Sequence, residues 1–439
     1  MHLHRRSLLA LPLALPLTLA LRPAWGAGRV DVEREVITTW YKLVLELVRH
    51  TATYSPPVAS RAFAYIGVAV HEAVATANPA LVSLAGQLHG LTQAPAREPG
   101  EYDEACVLHG VCGALAHALF SNTGPTGQRA VGRMGEIMGK TAADGIAEEI
   151  AERSVAYGAA VAAHILGWAA SDGGAVIENM GFPLDYTPGA EPDDWVPTSL
   201  IRQQQAPLLP DWGKVRTFAM PMGITCPVPP PPAYSEDLTS PFGIAAKEVY
   251  DAVNNLTDDQ RLSARFWSDD PMLSSTPPGH WIAIMVALAE DRSLPTDRLV
   301  EGFALLGVAM ADAFIACWAS KYEFNLLRPI TYIRRVIDPK WEPLLNTPPF
   351  PEYPSGHSTV SGAAAVVLTR LFGEDFAFDD PTHEPEALPI RHFPSFWAAA
   401  QDAAMSRMYG GIHYRFACEN GIEQGRCVGA YAAALRTRA

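Results

Sequence analysis

The sequence predicts an all-α fold, a helical bundle. Apolar residues recur at three- and four-residue spacing over most of the chain, and helix-starting and helix-stopping signals bracket those stretches. No run of alternating β-branched residues is long enough to nominate a sheet, and no internal repeat occurs. With 439 residues, 49% of them hydrophobic and 18% charged, the chain can bury a large core, which excludes a disordered tail, a disulfide mini-scaffold and a coiled coil. Its 33 basic against 47 acidic residues give a net charge of −14, which argues against a nucleic-acid surface or an anionic membrane face. An anion bound by this chain must be held by a few local cations against the overall field.

Residues 1–26 read as an export signal. Arg5-Arg6 precede the uncharged run 8–21, and Ala24-Trp25-Gly26 supplies small residues for a peptidase. Pro12 and Pro16 and the short apolar run count against an uncleaved anchor. The arginine pair fits a twin-arginine signal as well as a general secretory one. Such a leader implies an exported chain, periplasmic or secreted, with no membrane span after cleavage.

An N-terminal helical region is expected over 27–180, with helices at 32–50, 57–77 and 105–120 and two more within 127–170. Between 181 and 242 the helical pattern fails, and prolines culminate in Pro227-Val228-Pro229-Pro230-Pro231-Pro232. This segment is expected to be an extended connector over the surface rather than part of the core. A C-terminal helical domain follows over 243–439. Thr257-Asp258-Asp259-Gln260 has the form of a capping box, and Thr296 after Pro295 marks a helix start. The stretch 300–318 is strongly apolar but contains Asp312, which favours a buried core helix over a membrane span. Of the six cysteines, Cys106 and Cys112 share a helix and cannot bridge, nor can Cys418 and Cys427. Buried thiols are the expectation.

Three segments of the last third concentrate oxyanion chemistry. In Lys321-Tyr322-Glu323-Phe324-Asn325-Leu326-Leu327-Arg328-Pro329, seven residues on a helix would put Lys321 and Arg328 on one face, about 10 Å apart. In Pro354-Ser355-Gly356-His357, Ser355 is a natural N-cap, and the helix start it opens offers unpaired N–H groups and a positive dipole end. Gly356 lets the backbone come close, and His357 adds a titrating group. In Ser406-Arg407-Met408-Tyr409-Gly410-Gly411-Ile412-His413, a helix over 396–409 would stop at the glycines, with Arg407 in its last turn and His413 past the break. Each segment alone has a plain structural reading. Jointly they supply cations for charged oxygens, N–H groups to fix them, and two imidazoles, one to attack or ligate the central atom and one to move protons.

In this order, Lys-x6-Arg-Pro, Pro-Ser-Gly-His and Ser-Arg-x5-His resemble the signature of the vanadium-dependent haloperoxidase and type 2 phosphatidic acid phosphatase superfamily. The resemblance implies that Lys321, Arg328 and Arg407 hold oxygens of vanadate, or of phosphate in the same place, with Ser355 and Gly356 adding hydrogen bonds. His413 would be the vanadium ligand or the phosphorus nucleophile, and His357 the acid–base; Lys321 would also polarise the bound oxidant. Trp318 and Phe350 are placed like the aromatic pair of the chloroperoxidase branch that forms an apolar halide niche. Asp269 or Asp270 is similar to a carboxylate that pairs with Arg407. The family usually carries an aspartate four residues after the last histidine, and here that position is Ala417. Glu419, Glu423 or a backbone carbonyl would have to orient His413 instead.

The resemblance therefore implies an enzyme that uses hydrogen peroxide and halide, with two alternatives: an acid phosphatase acting on a phosphate ester through His413, and a non-catalytic oxyanion-binding protein. His71-Glu72 lacks the second histidine of a zinc helix and reads as a buried polar pair; Thr276-Pro277-Pro278-Gly279-His280-Trp281 reads as a turn opening a helix. The remaining histidines show no metal-ligand spacing, and the oligomeric state is not legible.

Overall fold

A computed structural model of the chain describes residues 25–439 apart from 178–180, 184, 185, 188 and 201. The leader expected over 1–26 thus lies outside the described residues through residue 24. Helix α1 (Trp25–His50) is followed by α2 (Pro56–Ala75), where Pro56 and Pro57 occupy the first turn, whose N–H groups have no helical partner anyway. Asp103 caps α3 (Glu104–Leu119) by accepting from the Cys106 N–H. The expected pair within 127–170 is α4 (Pro125–Ala143) and α5 (Glu148–Ala169), and a short α6 (Gly174–Ile177) ends the region.

After the connector come α7 (Pro241–Asn254), α8 (Asp258–Phe266), α9 (Thr276–Asp291), α10 (Thr296–Phe324) and α11 (Pro329–Val336). The capping box forms at Thr257 and Gln260. Helix α12 (Gly356–Phe372) leads to a small hairpin, β1 (Phe378–Asp380) and β2 (Arg391–Phe393), in which Asp380 faces Arg391. Helices α13 (Phe396–Tyr409) and α14 (Arg415–Ala433) complete the chain. The architecture is the predicted helical bundle, with one hairpin as its only sheet among the described residues.

Helix α10 is the axis of the molecule. It is apolar on every face, and its most apolar 18 residues are wholly buried inside the protein, as Asp312 led us to expect. It packs against α2 on one side and against α12 and α14 on the other. The approach to α2 is close because Gly67 has no side chain: a Cβ there would lie 2.3 Å from the Phe303 carbonyl oxygen. The fully buried Asp312 accepts from the backbone N–H groups of Phe218, Ala219 and Met220 at 2.6–2.8 Å. A helix-borne carboxylate thereby supplies the hydrogen bonds that this irregular segment cannot make for itself.

That contact corrects the expectation for 181–242. The segment lacks long helices, but it is not a surface strap. Trp195, Trp212, Phe218 and Met220 are buried in the core, and Cys226 forms a disulfide with Cys427 of α14 across 201 residues. Proline set the backbone of this stretch; its scattered large side chains set its burial. Cys106, Cys112, Cys317 and Cys418 remain buried thiols, so the expectation fails only for the bridged pair.

Candidate active site

The first motif sits where α10 ends. Asn325 adopts a left-handed conformation, φ 46°, and its N–H closes the last turn on the Lys321 carbonyl. Arg328 therefore does not share a helix face with Lys321, contrary to the spacing argument. It stands in extended backbone as the N-cap of α11, the conformation favoured before proline, and Pro329 starts a helix rather than ending one. Both side chains are fully buried. The Lys321 ammonium donates to the carbonyls of Pro351, Glu352 and Pro354 at 2.9, 2.9 and 2.6 Å. Burial pulls its pKa down to about 7. Arg328 donates from Nε to the Phe350 carbonyl and from Nη1 to the Ile412 carbonyl, both at 2.9 Å. Burial also lowers its pKa, to about 10.

The second motif opens α12. Ser355 caps it by accepting from the Ser358 N–H at 3.3 Å, and His357 lies in the first turn. The third motif closes α13 with Arg407 in the last turn, as expected. Gly411 makes the break possible: its φ is +78°, and a Cβ there would stand 2.9 Å from Pro343 Cβ. The break returns His413 toward Arg328, so Nη1 lies 3.2 Å from His413 Nε2. Residues 85 apart in the chain are in contact.

That contact fixes the tautomer of His413. A guanidinium can only donate, so Nε2 carries the lone pair and Nδ1 carries the proton. The proton goes to Glu352, whose Oε1 is 2.7 Å from Nδ1 and also accepts from the Tyr414 N–H at 3.0 Å. Glu352 is the partner that the sequence reading missed. The position at Ala417 is buried and offers only backbone groups, its carbonyl accepting from the Ser355 N–H and its N–H donating to the Tyr414 carbonyl. Glu419 and Glu423, the expected substitutes, face outward beside Arg415 and Arg426. The available signal was a lone carboxylate in Pro351-Glu352-Tyr353-Pro354, directly before Ser355-Gly356-His357. Burial raises the Glu352 pKa to about 7, with Arg328 and Lys321 pulling the other way.

Among the described residues His357 has no carboxylate hydrogen-bonded to it, only the Ser268 backbone beside it. Its Nε2 makes no hydrogen bond among the described residues and lies 3.9 Å from Asp269 Oδ2. Burial first, and then Arg407, hold its pKa well below the ordinary histidine value. His413 is held low by burial and then by Arg328 and Lys321. Arg407 donates to the Trp267 carbonyl at 2.5 Å. Neither Asp269 nor Asp270 forms an ion pair with it among the described residues, so the expected pairing is corrected. Asp270 is the stronger carboxylate influence on Arg407, while Asp269 turns to His280 and His383.

Trp318, Phe350, Gly356, His357, Arg407 and His413 line one cavity of about 860 Å³. The Trp318 and Phe350 rings meet at 5.0 Å between centroids, and Phe350 lies 5.2 Å from the Lys321 ammonium and 4.9 Å from the Arg328 guanidinium. Three buried nitrogens of the motif residues, Arg328 Nη2, Arg407 Nε and His357 Nε2, make no hydrogen bond among the described residues. Buried donors of this kind are costly unless a ligand uses them. Two guanidiniums with spare N–H groups, an imidazole lone pair and a helix start fit a tetrahedral oxyanion such as vanadate.

The comparisons agree with this chemistry. The family profile described as the VCPO second helical-bundle domain matches residues 301–439. Vanadium chloroperoxidase of Curvularia inaequalis is 29% identical over 218 residues, a match spanning 36% of this chain and 36% of that protein. The crystal structure of the first bacterial vanadium-dependent iodoperoxidase is 38% identical with a TM-score of 0.85, covering 92% of this chain and 97% of that one. A holo bacterial vanadium-dependent chloroperoxidase shares the fold, with a TM-score of 0.68 at 18% identity over 88% of this chain and 92% of that one. The chain belongs to the vanadium-dependent haloperoxidase family.

Proposed function

We propose that the chain is an exported haloperoxidase that oxidises halide with hydrogen peroxide at a vanadate held by His413. The observation that carries this reading is the convergence of Arg407, His357 and His413 on one cavity, with Arg328 against His413 and nitrogens left unspent on both arginines. When bound, vanadate would supply a Lewis-acidic centre that activates peroxide without changing oxidation state. Everything else comes from the chain. Glu352 holds the Nδ1 proton of His413 and so keeps the Nε2 lone pair available as a ligand. Arg328 and Arg407 would offer charge and hydrogen bonds to the oxygens of vanadate, with Ser355 and Gly356 at the start of α12. The three protons of Lys321 are taken by carbonyls, so its contribution to an anion in this arrangement is charge.

His357 is neutral near pH 7 because its pKa is depressed, which makes it a proton acceptor for incoming peroxide and then a donor. Trp318 and Phe350 exclude water from one side, where a large polarisable halide is more easily desolvated than a small one. Iodide, which needs the weakest oxidant, is the first substrate expected, in keeping with the iodoperoxidase named above. The Cys226–Cys427 bridge supports export, since structural disulfides persist outside the reducing cytosol.

One preparation, stripped and vanadate-loaded, should be assayed for halide oxidation and for hydrolysis of a nitrophenyl phosphate. Vanadate should switch on peroxide-dependent oxidation of iodide. A phosphatase that vanadate inhibits, with no halide turnover, would replace this reading by the phosphate-ester one. Vanadate binding with neither activity would leave a non-catalytic oxyanion binder.

A further inference from the structure

Behind His357 lies a cluster that the haloperoxidase chemistry does not use. Asp269 follows α8, His280 is in α9 and His383 is in the hairpin loop after β1. The Asp269 Oδ1 atom is 3.1 Å from His280 Nδ1 and 3.3 Å from His383 Nε2, and one donor atom from each residue falls within 4.8 Å of the others. All three residues are buried, among the rings of Phe266 and Trp267. Four-coordinate zinc with bonds of about 2.0–2.2 Å puts neighbouring ligand atoms about 3.4 Å apart, close to two of these separations.

Hydrogen bonding satisfies both nitrogens of His280 but accounts only partly for His383. His383 Nε2 is buried 3.3 Å from Asp269 Oδ1, without the geometry of a well-formed hydrogen bond. His280 Nδ1 stands at the same distance, 3.1 Å, from both Asp269 oxygens instead of addressing one. The far nitrogen of each ring also faces a carboxylate: His280 Nε2 is 2.9 Å from Asp380, and His383 Nδ1 is 3.7 Å from Glu386. Metal-bound histidines are oriented in this way, with the remote N–H on a carboxylate. Asp269 and Asp380 are almost fully buried, and no lysine or arginine pairs with either among the described residues. Two buried carboxylates need positive charge nearby, either protons on the imidazoles or a cation between them.

We propose that Asp269, His280 and His383 form a site for a divalent ion of the zinc class, separate from the vanadate position. Two imidazoles and one carboxylate suit zinc or a neighbouring first-row ion better than calcium or magnesium, which take oxygen ligands. The ion would pin three distant segments together and fix the wall from which Asp269 approaches His357.

The test is metal content and cobalt spectroscopy. Protein grown with zinc and purified without chelator should retain one zinc per chain by elemental analysis. Chelator-stripped protein should take up Co²⁺ with the visible ligand-field bands of a nitrogen- and oxygen-bound ion. His280→Ala and His383→Gln should each weaken Co²⁺ binding at least tenfold while circular dichroism shows folded protein. His383→Gln, at the edge of the hairpin, is the deciding variant if His280→Ala does not fold, and the wild-type stoichiometry decides if neither does. Less than a tenth of an equivalent of zinc with no cobalt bands would overturn the proposal in favour of protonated imidazoles. Equal cobalt binding by wild type and a folded variant would overturn it too.

Discussion

The two histidines of the cavity stand in opposite surroundings. On the His413 side the imidazole is fixed at both nitrogens: Glu352 takes the Nδ1 proton and Arg328 addresses Nε2, while Lys321 is spent on three carbonyls and Arg328 keeps only Nη2 unpaired. On the His357 side, Nε2 and the Arg407 Nε are unspent, and the nearest carboxylate oxygen stands off at 3.9 Å. A ligand to a central atom needs a fixed tautomer and a fixed direction, whereas a group that moves protons needs a free nitrogen. The contrast teaches that similar residues acquire different roles from what lies behind them.

The comparison breaks most readily at His413. His413→Ala should abolish vanadate-dependent iodide oxidation and vanadate retention together, measured by turnover and by equilibrium dialysis. Retained activity would remove the distinction between the two sides. His357→Ala should lower turnover by about 10²–10⁴-fold while vanadate still binds, the magnitude expected when a general acid–base is deleted. Equal losses of binding and turnover would show that His357 is a binding group like its counterpart.

A smaller effect sharpens the comparison through pH. Lys321 titrates near 7 in the folded protein, so it is charged below that pH and loses its proton above it. Sulfate, whose own charge is constant in this range, should bind more weakly as pH rises from 6 to 9. Glu352, raised to about 7 as well, gains a negative charge over the same range, so the change should be about a hundredfold or less, the share of two screened charges. Affinity that is flat or rises across that range in calorimetry would contradict a buried ammonium at the site. The disulfide lies outside the comparison, and its effect should be on stability alone. Cys226→Ser with Cys427→Ser should cost about 2–5 kcal/mol in denaturant unfolding and leave vanadate affinity unchanged.

Much of the site was legible because helix punctuation is local. The cap at Ser355, the stop at Gly410-Gly411 and the apolar axis around Asp312 depend on neighbours within a few residues, and the structure shows each of them. One departure is local and the rest are non-local. Asn325 ends α10 before Arg328, because a left-handed stop outweighs the helical spacing. Glu352 reaches His413 across 61 residues, and Cys226 reaches Cys427 across 201. His280 and His383 show no sequence spacing because three separate elements bring them to Asp269. The proline-rich stretch was misjudged as a surface connector because proline reports backbone conformation, while Trp195, Trp212 and Phe218 decide burial.

The most direct test of the central claim is the vanadate affinity of Glu352→Gln against wild type, by equilibrium dialysis at neutral pH. Glutamine keeps the shape but removes the charge that holds the Nδ1 proton, so affinity should fall by about 10–100-fold, with the folded state intact by circular dichroism. Unchanged affinity in the folded variant would mean that Glu352 does not prepare His413 as a ligand, and the account of the anchored side would fail.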